Sequence, residues 1–369
     1  MYVIPELLRV VKAGRAYLGV GPEQNFTYIA ALKPTIAFIV DIRRGNLNLH
    51  LLYKALFEVS ADRADFVSRL FAKPRPAGLD AKSTAADIFD AYAGVAASER
   101  LYVETLATVR HQLVTKHGFA LADEDLRAIE FVYRAFFMFG PDVRYSPVGV
   151  AGGTVQPTYA QLMIATDERG QARGFLSSEE AFTFVKALET RNLIVPVVGD
   201  FAGPKAVRSV GVYLKQKRAM VSVFYVSNVE EHLQRDGMWQ DFCDNVSALP
   251  IDDSSSFVRS TRPPPASPLR RHDVGMGTDG PNQQLPVAST ADCHHTNSPR
   301  RVKVGSKSST ALLASVRAYS ATVFAGPVSV PSLGIFRRIR LIPASSRLAK
   351  SSTPSAPPTH SETARASTG

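Results

Sequence analysis

Cysteine is almost missing from this chain: Cys243 and Cys293 are the only two in 369 residues. That scarcity implies no disulfide framework and suits a reducing cytoplasm. Long apolar runs are missing as well. The longest uncharged stretch, Ala318 to Phe336, is interrupted by Pro327, Pro331, two glycines and several serines, which makes it a poor membrane-spanning helix. The opening residues, Met1-Tyr2-Val3-Ile4-Pro5-Glu6, have neither the basic start nor the apolar core of a signal peptide. There are no internal repeats. The expectation is a cytoplasmic protein with no membrane partner.

Charge is unevenly spread. The net value of +10 suggests nucleic acid, but from Ser254 onward 15 Lys and Arg stand against 4 Asp and Glu, leaving 28 against 29 in the first 253 residues. The basic character therefore belongs to the C-terminal part. Arg262-Pro263-Pro264-Pro265 opens a Ser-, Pro-, Ala- and Arg-rich region with little periodicity through Gly369, a composition that cannot bury a core and predicts disorder. The chain divides into an α/β domain over 1–260 and a basic tail over 261–369, and the abrupt change after Thr261 suggests a shifted reading frame as the tail's origin. Arginine pairs at 270–271, 300–301 and 337–338 could touch phosphates, so nucleic acid is a partner only through the tail. Asp292-Cys293-His294-His295 groups ligand-type residues without a second half, which argues against a metal.

Within the first 260 residues, hydrophobic spacing predicts alternating strands and helices. Residues 5–13 read as a short helix, 15–20 as a strand, 23–32 as a helix stopped by Lys33-Pro34, and 35–41 as a continuously apolar strand of the kind buried on both faces of a parallel sheet. Helical patterns follow from Leu47 to Phe57, from Ala61 to Phe71 and over most of 83–139, with a helix start at Asp123. The span of about 60–145 reads as a helical insertion at the edge or over the mouth of the sheet, a lid or partner surface. Tyr159 to Ala165 is expected to be a short strand. Ser177-Ser178-Glu179-Glu180 opens a helix to Arg191. Then come a strand at 193–198, a helix at 204–216, a strand at 219–226, a helix at 237–248 and a last strand near 256–260. The fold class is open α/β.

Four places on this frame could carry chemistry. Gly19-Val20-Gly21 follows the first strand, where bare backbone lets a ligand approach and the next helix offers free N–H groups. The third glycine of a dinucleotide fingerprint is replaced by Asn25-Phe26, which argues against NAD or NADP and an oxidoreductase. Asp41 ends the second strand twenty residues beyond Gly21, where an acid can accept from both ribose hydroxyls. Its plainer reading is a partner for Arg43 or Arg44. Val198-Gly199-Asp200-Phe201 repeats the pattern: Asp200 could bond an adenine amino group and Phe201 pack on the ring, or the acid could cap a helix. Ser227-Asn228 ends another strand and could position a substrate or cap the helix after it. His50, His111, His117 and His232 are candidate bases by residue type alone.

Together these segments resemble the class I S-adenosylmethionine-dependent methyltransferases. Tyr17-Leu18-Gly19-Val20-Gly21 corresponds to the glycine-rich motif, Asp41 to the ribose acid, Gly199-Asp200-Phe201 to the adenine-side motif and Ser227-Asn228 to the strand end near the methyl group. Residues 15–260 are also similar to an uncharacterised bacterial family marked by Gly-Pro-Glu-Gln-Asn-Phe and Val-Asp-Ile-Arg-Arg. The resemblance implies a Rossmann-like fold and S-adenosylmethionine held by Gly19, Gly21, Glu23, Asn25, Asp41, Asp200 and Phe201, with Asn228 beside an unknown acceptor. The acid two residues before the first glycine is Tyr17 here, so Glu23 or Asn25 is expected to compensate for it. That departure favours a non-catalytic ligand-binding or scaffold module as the rival.

Overall fold

A computed structural model describes residues 1–144, 157–259 and 287–288. The tail, its arginine pairs and the Asp292–His295 cluster fall outside the described residues.

Helix α1 (Ile4–Val10) leads into strand β1 (Ala16–Gly19), then α2 (Gln24–Leu32) and β2 (Ile36–Asp41). Lys33 takes a left-handed conformation (φ 49°) and ends α2 before Pro34. Next come α3 (Arg44–Val59), α4 (Arg63–Phe71), α5 (Ala85–Ala93), α6 (Glu99–Arg110) with a π-helical continuation over His111–Lys116, and α7 (Asp123–Phe139). Helices α8 (Tyr159–Ile164) and α9 (Glu179–Thr190) precede β3 (Ile194–Val198). The chain then runs through α10 (Ala206–Gln216), β4 (Val221–Ser227), α11 (Val229–Arg235), α12 (Trp239–Ser247) and β5 (Ser256–Arg259), with a two-residue β6 (Val287–Ala288).

The sheet order is β3-β2-β1-β4-β5-β6; the first five strands are parallel and β6 is antiparallel to β5. Order reverses between β1 and β4, so right-handed crossovers put the helices before β3 on one face and those after it on the other. Every residue of β1, β2 and β4 is buried, as continuous apolar strands covered on both faces require. In register, Leu18, Phe38 and Phe224 face the α10–α12 side, where Phe224 packs 6.4 Å from Phe242 and Phe38 meets Tyr213 at 5.6 Å. Tyr17 and Tyr225 face α2, with Tyr28 6.2 Å from the first and 5.1 Å from the second.

Edge strand β3 contains Pro196. Ala37 N–H donates to Leu193 O and Gly199 N–H donates to Asp41 O, so odd-numbered residues bond inward to β2. The missing N–H of Pro196 therefore falls on the open edge, where it costs no ladder bond and discourages further strands.

One expectation is corrected. Residues 159–164 form helix α8, not a strand: Thr158 Oγ1 accepts Gln161 N–H at 3.1 Å while Gln161 Oε1 accepts Thr158 N–H at 2.9 Å. That reciprocal cap favours a helical turn over an extended segment. Helices α6 and α7 of the helical insertion pack on α3 and α4, forming an outer layer on that side of the sheet. Cys243 is buried on α12, and Cys293 lies outside the described residues. No helix among the described residues is long and apolar enough to cross a membrane.

Candidate functional site

The parallel strands end along one rim, and the four sequence-selected places stand there at the ends of the neighbouring strands β3, β2, β1 and β4. Asp41 is the last residue of β2 and is paired in register with Val198 of β3. Gly199 N–H donates to Asp41 O at 2.9 Å, which sets Asp200 immediately beyond the neighbouring strand end. The β1 turn lies on the other side of β2, and Ser227 ends β4 across the switch point, where open α/β sheets take their ligands.

Asp41 is 2% exposed and already has a cation. Its Oδ1 accepts Arg43 N–H at 2.9 Å and Arg43 Nε at 3.0 Å, and Oδ2 accepts Arg43 Nη2 at 3.2 Å. A carboxylate has about four acceptor sites, so three donors leave capacity on Oδ2. Asp200 turns its Oδ1 to Ala202 N–H at 2.9 Å, stabilising the 200–203 turn. It does not cap α10, whose N-cap is Lys205. Phe201 is buried against Phe224 at 6.1 Å and Phe242 at 6.5 Å. Its ring is spent in the core and is not a platform for an adenine. The exposed apolar side chains at this end of the sheet are Ile42, 65% exposed, and Val198, 40% exposed.

The glycine turn is filled by its own neighbours. Tyr17 Oη donates to Asn25 Oδ1 at 2.9 Å, and Asn25 Nδ2 donates to the carbonyls of Val20, Gly21 and Pro22 at 3.1, 3.0 and 2.7 Å. A Cβ on Gly19 would stand 1.9 Å from Asn25 Oδ1 and 2.8 Å from the Tyr17 ring. Gly19 is thus required by internal packing, while Gly21 supplies a left-handed turn (φ 81°). Glu23 is buried and receives a long hydrogen bond from Tyr53 Oη at 3.5 Å. Asn25 is satisfied within the turn, so it does not replace the acid missing at Tyr17.

Ser227 is buried in a left-handed conformation (φ 51°) beside Tyr225. Burial pushes the phenols of Tyr17 and Tyr28 well above the usual tyrosine range and raises that of Tyr225, with Ser227 opposing the last shift. Asn228 lies 3.2 Å from His232 Nε2 through its Nδ2 and makes no side-chain cap for α11.

The four histidines separate sharply. His111 is exposed at the start of the π-helical segment. His117 bonds both carboxylate oxygens of Glu58 at 2.8 and 2.9 Å, far along α3 from the rim. His50 is buried with Nε2 2.9 Å from Gly21 O, and burial lowers its pKa to about 4. It is the histidine that reaches the glycine turn. Residue type nominated it, but only the fold set it there. Asn245 had no signal at all: from α12 its Nδ2 donates to Phe201 O at 2.8 Å and Gly203 O at 2.9 Å, fixing the loop that carries Asp200.

Separately, a groove of about 690 Å³ runs along the other face of β3 beneath α10, lined by Phe38, Val195, Val197 and Tyr213 with Asp200 and Lys205 at one end. No curated protein matches the chain. Residues 7–273 match the family model described as a domain of unknown function, DUF7790, which spans the described α/β domain and stops short of most of the tail. The chain belongs to the DUF7790 family.

Proposed function

We propose that the domain binds an adenosine-bearing cofactor of the S-adenosylmethionine class at the carboxyl rim of β1, β2 and β3, and acts as a methyltransferase-like protein on an acceptor still to be identified. The observation that carries this reading is the adjacency of Asp41 and Asp200 on neighbouring strand ends. Asp41 would take ribose hydroxyls, with Arg43 giving up part of its hold. Asp200, one oxygen of which is engaged by Ala202, would face the base. Ile42 and Val198 offer apolar surface of the kind an aromatic ring covers. The bound cofactor would supply an activated methyl group. This chain's residues fit its nucleoside half, while the turn that would meet the amino-acid half is occupied by Tyr17 and Asn25.

Calorimetry with S-adenosylhomocysteine and S-adenosylmethionine on the wild type and Asp41→Asn tests this. Saturable binding that weakens about tenfold or more in the variant is expected, because a charged acceptor is exchanged for a neutral one. Absence of heat and of thermal stabilisation with folded wild type would refute it. The scaffold reading is favoured by one observation, the self-filled glycine turn, and predicts that folded protein ignores both ligands.

A further inference from the structure

His50 braces the turn after β1 with one ring nitrogen and leaves the other without a bond. The Gly21 carbonyl 2.9 Å from Nε2 can only accept, so Nε2 carries the proton and Nδ1 is a bare acceptor. The residue is 2% exposed, and Nδ1 has no hydrogen-bond partner among the described residues. Burial keeps the ring neutral at pH 7, and Asp41 is near enough to act against that effect. The ring meets Phe26 edge-on at 5.4 Å, and Phe26 is itself wedged against Tyr53 and Phe57, each at 5.2 Å. Phe26 thus holds one side of the imidazole in place. A space-filling role would be met by an apolar ring, and bracing Gly21 uses Nε2 alone. The buried Nδ1 is unexplained by either, because an interior acceptor without a donor is costly.

We infer that His50 is a ligand-binding residue whose Nδ1 accepts a hydrogen bond from a ribose hydroxyl of the nucleoside, next to Asp41. This rests on the binding reading above. A ribose diol presents two donors. Beside the Gly21 turn stand two acceptors of different kinds: the Asp41 carboxylate, largely engaged by Arg43, and a buried neutral nitrogen without a partner among the described residues. The ligand class is accordingly a nucleoside with its diol intact, and loss of one hydroxyl should be felt at His50.

The test is calorimetry on full-length protein with S-adenosylhomocysteine, adenosine and 2′- and 3′-deoxyadenosine, using wild type, His50→Gln and His50→Phe, together with the imidazole ¹⁵N resonances of wild type. Glutamine keeps an amide donor for Gly21 but displaces its acceptor, Oε1, from the Nδ1 position, and phenylalanine removes donor and acceptor together. Expected are a roughly tenfold loss of S-adenosylhomocysteine affinity in His50→Gln at unchanged melting temperature, and a smaller penalty for one deoxy analogue than in wild type. In wild type the Nδ1 resonance should move on binding while Nε2 stays protonated. Binding by wild type with equal affinity in His50→Gln and an unmoved Nδ1 signal overturns the assignment of His50 alone. No binding by wild type overturns the cofactor reading together with it. If neither variant folds, the wild-type Nδ1 signal decides: a shift supports the assignment and a static signal refutes it.

Discussion

Asn25→Ala is the sharpest perturbation of the glycine turn, because one buried amide satisfies four groups at once. The losses are unequal. Gly21 O keeps His50, and Pro22 O keeps a 3.3 Å bond from the Asn25 backbone N–H, which alanine retains. Tyr17 Oη and Val20 O are the groups left stranded. At about 1–3 kcal/mol for each buried polar group without a partner, the variant should lose about 3 kcal/mol. For a domain of this size that corresponds to a fall of about 6–12 °C in melting temperature. Urea unfolding followed by far-UV circular dichroism measures it. Tyr17→Phe leaves one acceptor unanswered and should cost about 1–2 kcal/mol. Because both changes break the same bond, the double variant should fall short of the sum by about 1 kcal/mol or more. Additive effects, or an Asn25→Ala cost below about 1 kcal/mol, would show that the turn is not held together from within.

Two further predictions concern the helical layer. Arg63 is fully buried and donates to the carbonyls of Leu176, Ala81 and Ser83 and to Glu179, tying two distant segments to α4. Arg63→Leu should destabilise the fold by about 3–5 kcal/mol or abolish soluble expression, and Arg63→Lys should rescue little because an ammonium cannot span that fork; thermal melts of both variants decide it. Glu189 on α9 is buried beside Lys54, which donates to its backbone carbonyl, and burial pushes its pKa up to about 8, with Lys54 opposing and Glu58 reinforcing the shift. The native state then holds a proton that the unfolded state has released, so this group's contribution to stability falls from about pH 4.5 to about pH 8 and levels off above that. Glu189→Gln should remove that slope and gain stability relative to wild type most clearly at alkaline pH; parallel stability-pH curves would refute the assignment.

The strand-turn-helix order was legible in the residues themselves. Thr35 to Asp41 reads as a doubly buried strand because its side chains are apolar without alternation, and β2 is buried throughout. Ser178, with acidic residues after it, marked the start of α9, and its hydroxyl accepts Ala181 N–H. Such signals are local, acting within a turn or along one strand. Where local signals compete they mislead. Tyr159 to Ala165 is a short apolar run that reads as a strand, yet the Thr158–Gln161 cap makes it helical.

Residue type and position on a strand determined which side chains could stand at the rim: two acids, two glycines and an asparagine after β4. What each one does there was decided by partners far away in sequence or across an element. Arg43 folds back on Asp41, and Phe201 turns into a core built by Phe224 and Phe242. His50 meets a carbonyl 29 residues earlier, and Asn245 fixes a loop 44 residues before it. Hydrophobic periodicity reports only whether a side chain faces inward. Hydrogen bonds are directional and short-ranged, so the pairing of buried polar groups is set only when strands and helices have been brought to contact distance.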